Sequence, residues 1–241
     1  MKFHDRDLSS FNRVRQNMEE LEGSCSHLGI DLFSTAAITP GDRKDFHESI
    51  RGISEPLDYA VVIGIRLSDP ILETVVDAPT WTYYYHYRQV NYALDNASLF
   101  ISSRCHKMGY RALPVPASQI MDWTRLRGHL SHRYMAEKAG LGWRGRNNLL
   151  INPDFGACVR YATILTDMPL PAPEEPGSVF NGCGDCRDCM DICPAGAIGE
   201  DAKDFSVDRC AAQLRRFSRS EKLNTMICGL CVKVCKGKLN K

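Results

Sequence analysis

No stretch of this 241-residue chain approaches the ~18 consecutive apolar residues of a membrane span. The longest apolar run, Tyr59–Ile65 (YAVVIGI), has the length of a buried strand. The opening MKFHDRDLSS lacks the apolar core of a secretory signal and the paired arginines of a twin-arginine signal, so a cytoplasmic chain with no membrane contact is expected. One-sided charge is missing too. The chain has 30 Lys and Arg against 29 Asp and Glu, a formal charge of +1, too little for a global field that holds nucleic acid. Hydrophobic residues at 44% and charged residues at 24% are globular values, which excludes wholesale disorder.

Cysteine is in excess: 11 residues, 8 of them between Cys183 and Cys235. In a reducing compartment, such spacing reads as metal ligation rather than a disulfide scaffold. Cys183, Cys186, Cys189 and Cys193-Pro194 form C-x2-C-x2-C-x3-C-P. In this ferredoxin run, three cysteines hold one [4Fe–4S] cluster and the fourth reaches the other. Cys228, Cys231 and Cys235 repeat the spacing of the last three, and Cys210 is the candidate for the missing member. Symmetry then pairs Cys183, Cys186, Cys189 and Cys235 on one cluster, and Cys193, Cys210, Cys228 and Cys231 on the other. Two four-cysteine zinc sites are the competing reading, although zinc ribbons pair C-x2-C units. Cys25, Cys105 and Cys158 read as buried thiols.

Ahead of the cysteines, helices alternate with strands. Apolar periodicity predicts helices over 5–29, 82–109, 118–127 and 131–139, and strands over 58–67, 111–115 and 158–165. An α+β class follows, with domains at 1–167 and 181–241. Four prolines and two glutamates between Met168 and Gly177 suggest a solvated linker, taken as 168–180.

One loop stands out before the last strand: Lys138-Ala139-Gly140-Leu141-Gly142-Trp143, then Gly145-Arg146-Asn147-Asn148. Its spacing is neither G-x-G-x-x-G nor a P-loop. Dense glycine lets a backbone approach a large ligand, and Lys138, Arg144 and Arg146 suit an anionic or amide-rich edge. This K-A-G-L-G-W-x-G-[KR]-N loop, a strand, a proline-rich link and the two cysteine motifs together resemble the epoxyqueuosine reductases. They are similar, more distantly, to the reductive dehalogenases. The resemblance covers residues 55–238.

The resemblance implies a nitroreductase-like α/β sandwich that holds cobalamin, followed by a small ferredoxin-like domain with two [4Fe–4S] clusters. It implies cobalamin contacts at Lys138, Gly140, Leu141, Gly142, Trp143, Gly145, Arg146 and Asn147. It also implies a low-potential donor, such as a ferredoxin or flavodoxin, and a small-molecule or unknown substrate. The chain departs from the family in three ways. Tyr84-Tyr85-His86 stands where those reductases carry Asp-Tyr-His, so Tyr84 is the candidate proton donor, with Arg88 or His86 as a cationic neighbour. The helical-repeat domain that grips tRNA is not expected in the short tail Lys236–Lys241, which puts a tRNA substrate in question; Arg209, Arg215, Arg216, Arg219 and Lys222 offer only a small basic patch. Lys236 replaces the proline after the last cysteine. The alternative is an electron-transfer or corrinoid-activating protein that binds no cobalamin of its own.

Overall fold

The computed structural model describes residues 2–25, 27–173 and 182–237, with side chains from Asn12 onward. In chain order the elements are α1 (Lys2–Cys25), β1 (Leu32–Ala37), α2 (Pro40–Arg43), α3 (Glu48–Arg51), β2 (Tyr59–Arg66), α4 (Asp69–Glu73), α5 (Trp81–Lys107), β3 (Ala112–Val115), α6 (His132–Lys138), β4 (Trp143–Arg144), β5 (Leu150–Ile151), β6 (Val159–Thr166), α7 (Asp188–Asp191), α8 (Val207–Ser220) and α9 (Leu230–Val234). Helix and strand are mixed, as an α+β class requires. None of the described helices is long and apolar enough to cross a membrane.

The chain forms two compact units. One takes the described residues of Met1–Ile65, Asn91–Gly140 and Tyr161–Pro176; the other takes those of Arg66–Val90, Leu141–Arg160 and Gly177–Lys241. This partition differs from a single cut at 168–180. Segments 66–90 and 141–160 join the second unit because their side chains and carbonyls hold the cysteine motifs, as described below.

The first unit is built on a sheet of order β1-β2-β6-β3, with β1 antiparallel to β2 and β3 antiparallel to β6. Ala60, Val61, Val62 and Ile63 are all fully buried, so β2 carries apolar side chains on both faces. Such a strand needs neighbours on both sides. One of them is β1, which the sequence reading did not foresee: LFSTAA has no clear apolar alternation and few β-branched residues. Leu94, Ala97, Ile101 and Cys105 recur at three- and four-residue steps on α5 and are buried with Ile164 and Leu165 of β6.

Two expectations fail in this unit. Residues 118–127 are not a helix. The Asp122 carboxylate accepts the backbone N–H of Thr124 and Arg125 at 2.9 Å, Leu126 takes φ 53°, and Asp122 bridges to Arg127. This side-chain capture offers the backbone an alternative to helix. The start of the supposed linker is packed, not solvated. Met168 and Leu170 are buried, Asn17 donates to the Pro169 carbonyl at 3.0 Å and Thr35 to the Pro171 carbonyl at 2.5 Å. Residues 174–180 lie outside the described residues.

Candidate functional site

The second unit gathers the cysteines by local turns first. Gly182 and Gly184 adopt φ 69° and 51°, which lets the chain fold tightly around Cys183 and Cys186 before the single turn of α7. Cys189 lies on α7, Cys210 on α8 and Cys231 on α9. Gly229, at φ 89°, caps α9; a Cβ there would stand 2.7 Å from the Tyr83 ring. Tyr83 is buried, and burial pushes its phenol well above the ordinary range.

The thiols fall into two neighbourhoods that meet at Cys189 and Cys231. Cys189 is raised to about 11 by burial and by nearby Cys235, Cys183 and Cys186. Cys235 is raised by burial, with Cys183 and Cys186 as its sulfur neighbours. Cys228 is raised to about 11 by burial and by Cys210 and Cys193. Cys231 is pushed high by burial and by Cys228, Cys210, Cys189 and Cys193. Metal ligation requires the thiolate, so a cluster held by these residues would displace their protons to solvent. Soft sulfur donors suit iron–sulfur chemistry. Among the described residues, no three His, Cys, Asp or Glu side chains converge on one single-ion position. A cubane does not need that convergence, since each thiolate meets a different iron. The donor set fits the clusters.

Segment 141–160 holds these motifs from outside. Gly156 packs so tightly on the cysteine tail that an added Cβ would lie 2.0 Å from the Cys235 carbonyl oxygen. Ala157 N–H donates to that same oxygen, and the Cys158 thiol donates to the Val232 carbonyl at 3.2 Å. Cys158 is thus buried, as expected, but it also ties down the residues ahead of Cys235. Trp143, Ile151 and Ala157 form a small apolar core against which Leu149 and Cys235 pack. From segment 66–90, the Val75 carbonyl accepts from Lys233 Nζ at 2.8 Å.

The glycine loop is a hairpin, and its glycines answer to the hairpin. Strands β4 and β5 pair antiparallel across a turn in which Asn148 takes φ 58°. A Cβ on Gly142 would lie 2.0 Å from the Ile151 carbonyl oxygen, and one on Gly145 would lie 2.5 Å from the Ile151 side chain. Trp143 is buried in the small core. Leu141 offers its carbonyl to Asn152 Nδ2 at 2.8 Å. Arg146 donates from Nε to the Glu200 carbonyl (2.7 Å), from Nη1 to the Cys186 carbonyl (2.5 Å) and from Nη2 to the Gly184 carbonyl (2.8 Å). Buried Asn147 reaches the Cys231 carbonyl at 3.4 Å.

Lys138 and Gly140 belong to the first unit. Lys138 Nζ sits 2.5 Å from Asp42 Oδ2, and Tyr134 Oη donates to Asp42 Oδ1 at 2.7 Å. Burial raises the Asp42 carboxyl, but hydrogen bonds from Lys138, Thr39 and Tyr134 outweigh it and hold the group down at about 2. Gly140, at φ 73°, ends α6 with its N–H on the Glu137 carbonyl. Most of the residues expected around cobalamin are therefore committed within the chain.

Tyr84 lies near the start of α5, half-buried. Arg88 Nη1 is 3.2 Å from its hydroxyl, with the guanidinium 5.5 Å from the ring centre. The Trp81 ring meets Tyr84 edge-on at 5.5 Å. His86 is not the cation: its Nε2 accepts the Ser68 N–H at 3.0 Å, and burial lowers its pKa. Sequence reasoning missed Tyr83, Asp42 and Gly156. Only Tyr83 carried a signal, by adjoining the Tyr84-Tyr85-His86 stretch.

No family model matches the chain. It is 44% identical over 71 residues to an epoxyqueuosine reductase of Bacillus anthracis, a match covering 30% of this chain and 18% of that protein. Matches of this kind span about a fifth of the relatives' own length. Among solved structures, the catabolic reductive dehalogenase NpRdhA superposes with TM-score 0.70 at 22% identity, over 91% of this chain and 31% of that one. An epoxyqueuosine reductase with an epoxyqueuosine-modified tRNA stem loop gives 0.58 at 21% identity, over 95% of this chain and 67% of that one. The chain resembles these reductases in sequence and shares their fold.

Proposed function

We propose that the chain is an iron–sulfur oxidoreductase of the epoxyqueuosine reductase type, in which two [4Fe–4S] clusters relay single electrons. Cys183, Cys186, Cys189 and Cys235 hold one cluster; Cys193, Cys210, Cys228 and Cys231 hold the other. The observation that carries this reading is the gathering of eight thiols into two adjoining neighbourhoods that interleave the motifs, with Cys189 and Cys231 where they meet. Electrons enter from a low-potential donor such as a ferredoxin or flavodoxin, in a reducing, cytoplasmic setting. In this reading the chain carries a nitroreductase-like α/β sandwich, taken at 1–167, whose segments 66–90 and 141–160 support the ferredoxin-like domain at 181–241.

In the chain's own chemistry, Tyr84 supplies a proton from its hydroxyl. Arg88 faces that oxygen, so a phenolate left after transfer has a cation beside it. Trp81 and Tyr85 shield the group with aromatic surface. The thiol pairing holds the clusters through residues far apart in sequence, which ties electron relay to an intact second unit.

The resemblance names cobalamin as the electron acceptor. When bound, it supplies one- and two-electron chemistry at cobalt. The second reading, an electron-transfer or corrinoid-activating protein with no cobalamin of its own, is favoured by the commitment of Lys138, Trp143, Arg146 and Asn147 within the chain. Anaerobic reconstitution followed by gel filtration tests both. Iron and sulfide in the ratio of two cubanes per chain are expected; two zinc atoms with negligible sulfide would reject the relay. Corrin co-eluting with the iron-replete chain selects the first reading, and its absence the second. Queuosine in tRNA from a strain lacking the gene decides whether tRNA is the substrate: a fall supports epoxyqueuosine reduction, and unchanged levels reject it.

A further inference from the structure

Two consecutive residues at the tip of the β4–β5 hairpin reach the two cysteine motifs separately. Arg146 places three of its five N–H donors on backbone carbonyls: Gly184 and Cys186 inside the first motif, and Glu200 beyond it. Asn147 places its amide on the Cys231 carbonyl of the second motif, while its own Oδ1 accepts the Leu149 N–H at 3.1 Å and fixes the side chain. The hairpin that presents them is itself anchored: Gly142 and Gly145 lie directly against Ile151, where no Cβ fits, and Trp143 is buried with Ile151 and Ala157.

From this we infer that Arg146 and Asn147 are positioning residues for the iron–sulfur clusters, one for each, and not contacts to a corrin; the inference rests on the two-cluster reading above. The first motif needs the larger clamp. Its Cys183–Cys189 loop is short, turns on left-handed Gly184 directly after left-handed Gly182 and runs into the four-residue α7, so little else fixes its carbonyls. A planar guanidinium satisfies several carbonyls with one rigid group, which a lysine ammonium on a flexible stem does not. The guanidinium also brings a fixed positive charge beside an anionic cluster. That favours the reduced state and raises the potential. Asn147 brings geometry without charge.

The test uses the full chain after anaerobic reconstitution. Wild type, Arg146→Gln, Arg146→Lys, Asn147→Ala and the double variant Arg146→Gln/Asn147→Ala are compared. The readouts are iron release to a chelator and a potentiometric titration followed by paramagnetic resonance. Loss of such outer partners weakens metal sites by about 10–100-fold, so a release at least about tenfold faster is expected. In each single variant the faster release is confined to half of the iron; in the double variant it extends to all of it. Arg146→Gln also moves one cluster to lower potential, Arg146→Lys restores the potential more than the retention, and Asn147→Ala moves neither potential by charge.

Unchanged release and potentials in both single variants, with wild type holding two clusters, would overturn the inference alone. Equal acceleration of all the iron in every variant would also overturn it, since that marks general loosening. Wild type that takes up no sulfide would overturn it together with the two-cluster reading.

Discussion

The two units of this chain are held together by different physical means. The first is a conventional apolar core. Val61, Val62, Ile63, Leu94, Ile101, Ile164 and Leu165 are essentially removed from water, and such burial contributes about 25 cal/mol per Å2 of apolar surface. The second also buries apolar side chains, among them Leu72, Val75, Tyr83, Leu223 and Leu230. Its segments are fastened by side chains that grip backbone carbonyls: Arg146 on Gly184, Cys186 and Glu200, Arg209 on Gly196, Lys233 on Val75 and Cys158 on Val232. Each such bond is worth only about 0.5–3 kcal/mol net. In the two-cluster reading, bound clusters would add to the stability of this unit, as metal does in small metal-bound domains. The difference teaches that packing alone accounts for the first unit, while the second adds side-chain clamps on the backbone carbonyls around its cysteine motifs.

That contrast breaks most sharply at a cysteine. Cys235→Ser is expected to cost roughly half of the reconstituted iron and to open the second unit to protease, since a structural metal site is folding free energy. Iron analysis and limited proteolysis check it; full iron retention would contradict the pairing. Next in size, Ile63→Ala removes a fully buried side chain from the central strand β2. It is expected to destabilise the chain by about 2–5 kcal/mol in urea titration while leaving iron per chain unchanged.

A smaller effect sits on Asp42. Its carboxyl lies at about 2 against an ordinary 3.8. A lowered carboxyl contributes stability that is present above the unfolded value and is lost as pH falls from about 4 towards 2. The shift corresponds to roughly 2 kcal/mol. Urea midpoints between pH 6 and pH 2.5 are expected to differ for wild type and Asp42→Asn at the upper end and to converge at the lower. A gap that stays constant with pH would count against the Lys138–Asp42 pair as its source. The smallest expected change in stability is at Tyr84. Tyr84→Phe keeps the ring packing of Trp81 and Tyr85 and is expected to alter stability by less than about 0.5 kcal/mol. The rate of acceptor reduction is expected to fall by about 10²–10⁴ if the hydroxyl delivers the proton. An unchanged rate would reduce Tyr84 to packing.

Much of the fold is legible in the sequence because it is local. The α5 periodicity, the apolar runs of β2 and β6 and the glycine after α5 match the observed elements to within a few residues. The strand β1 was missed because LFSTAA has no clear apolar alternation and few β-branched residues; its existence follows from β2, whose apolar faces demand two neighbours. The 118–127 helix failed because Asp122 captures nearby N–H groups. In the candidate site, the cysteine spacings and the Tyr84–Arg88 neighbourhood were readable, the latter because i and i+4 meet on a helix.

The sequence alone determined which residues are candidates for the chemistry. Eight cysteines in two spaced motifs, and a tyrosine one helical turn from an arginine, are covalent facts of order and spacing. What tertiary structure decided is what each remaining polar group touches. Lys138 meets Asp42 across 96 positions, Asn147 meets Cys231 across 84, and Arg146 meets Cys186 across 40. Long flexible side chains choose among many partners, and the choice falls to whichever carbonyl or carboxylate the folded backbone brings within hydrogen-bonding reach.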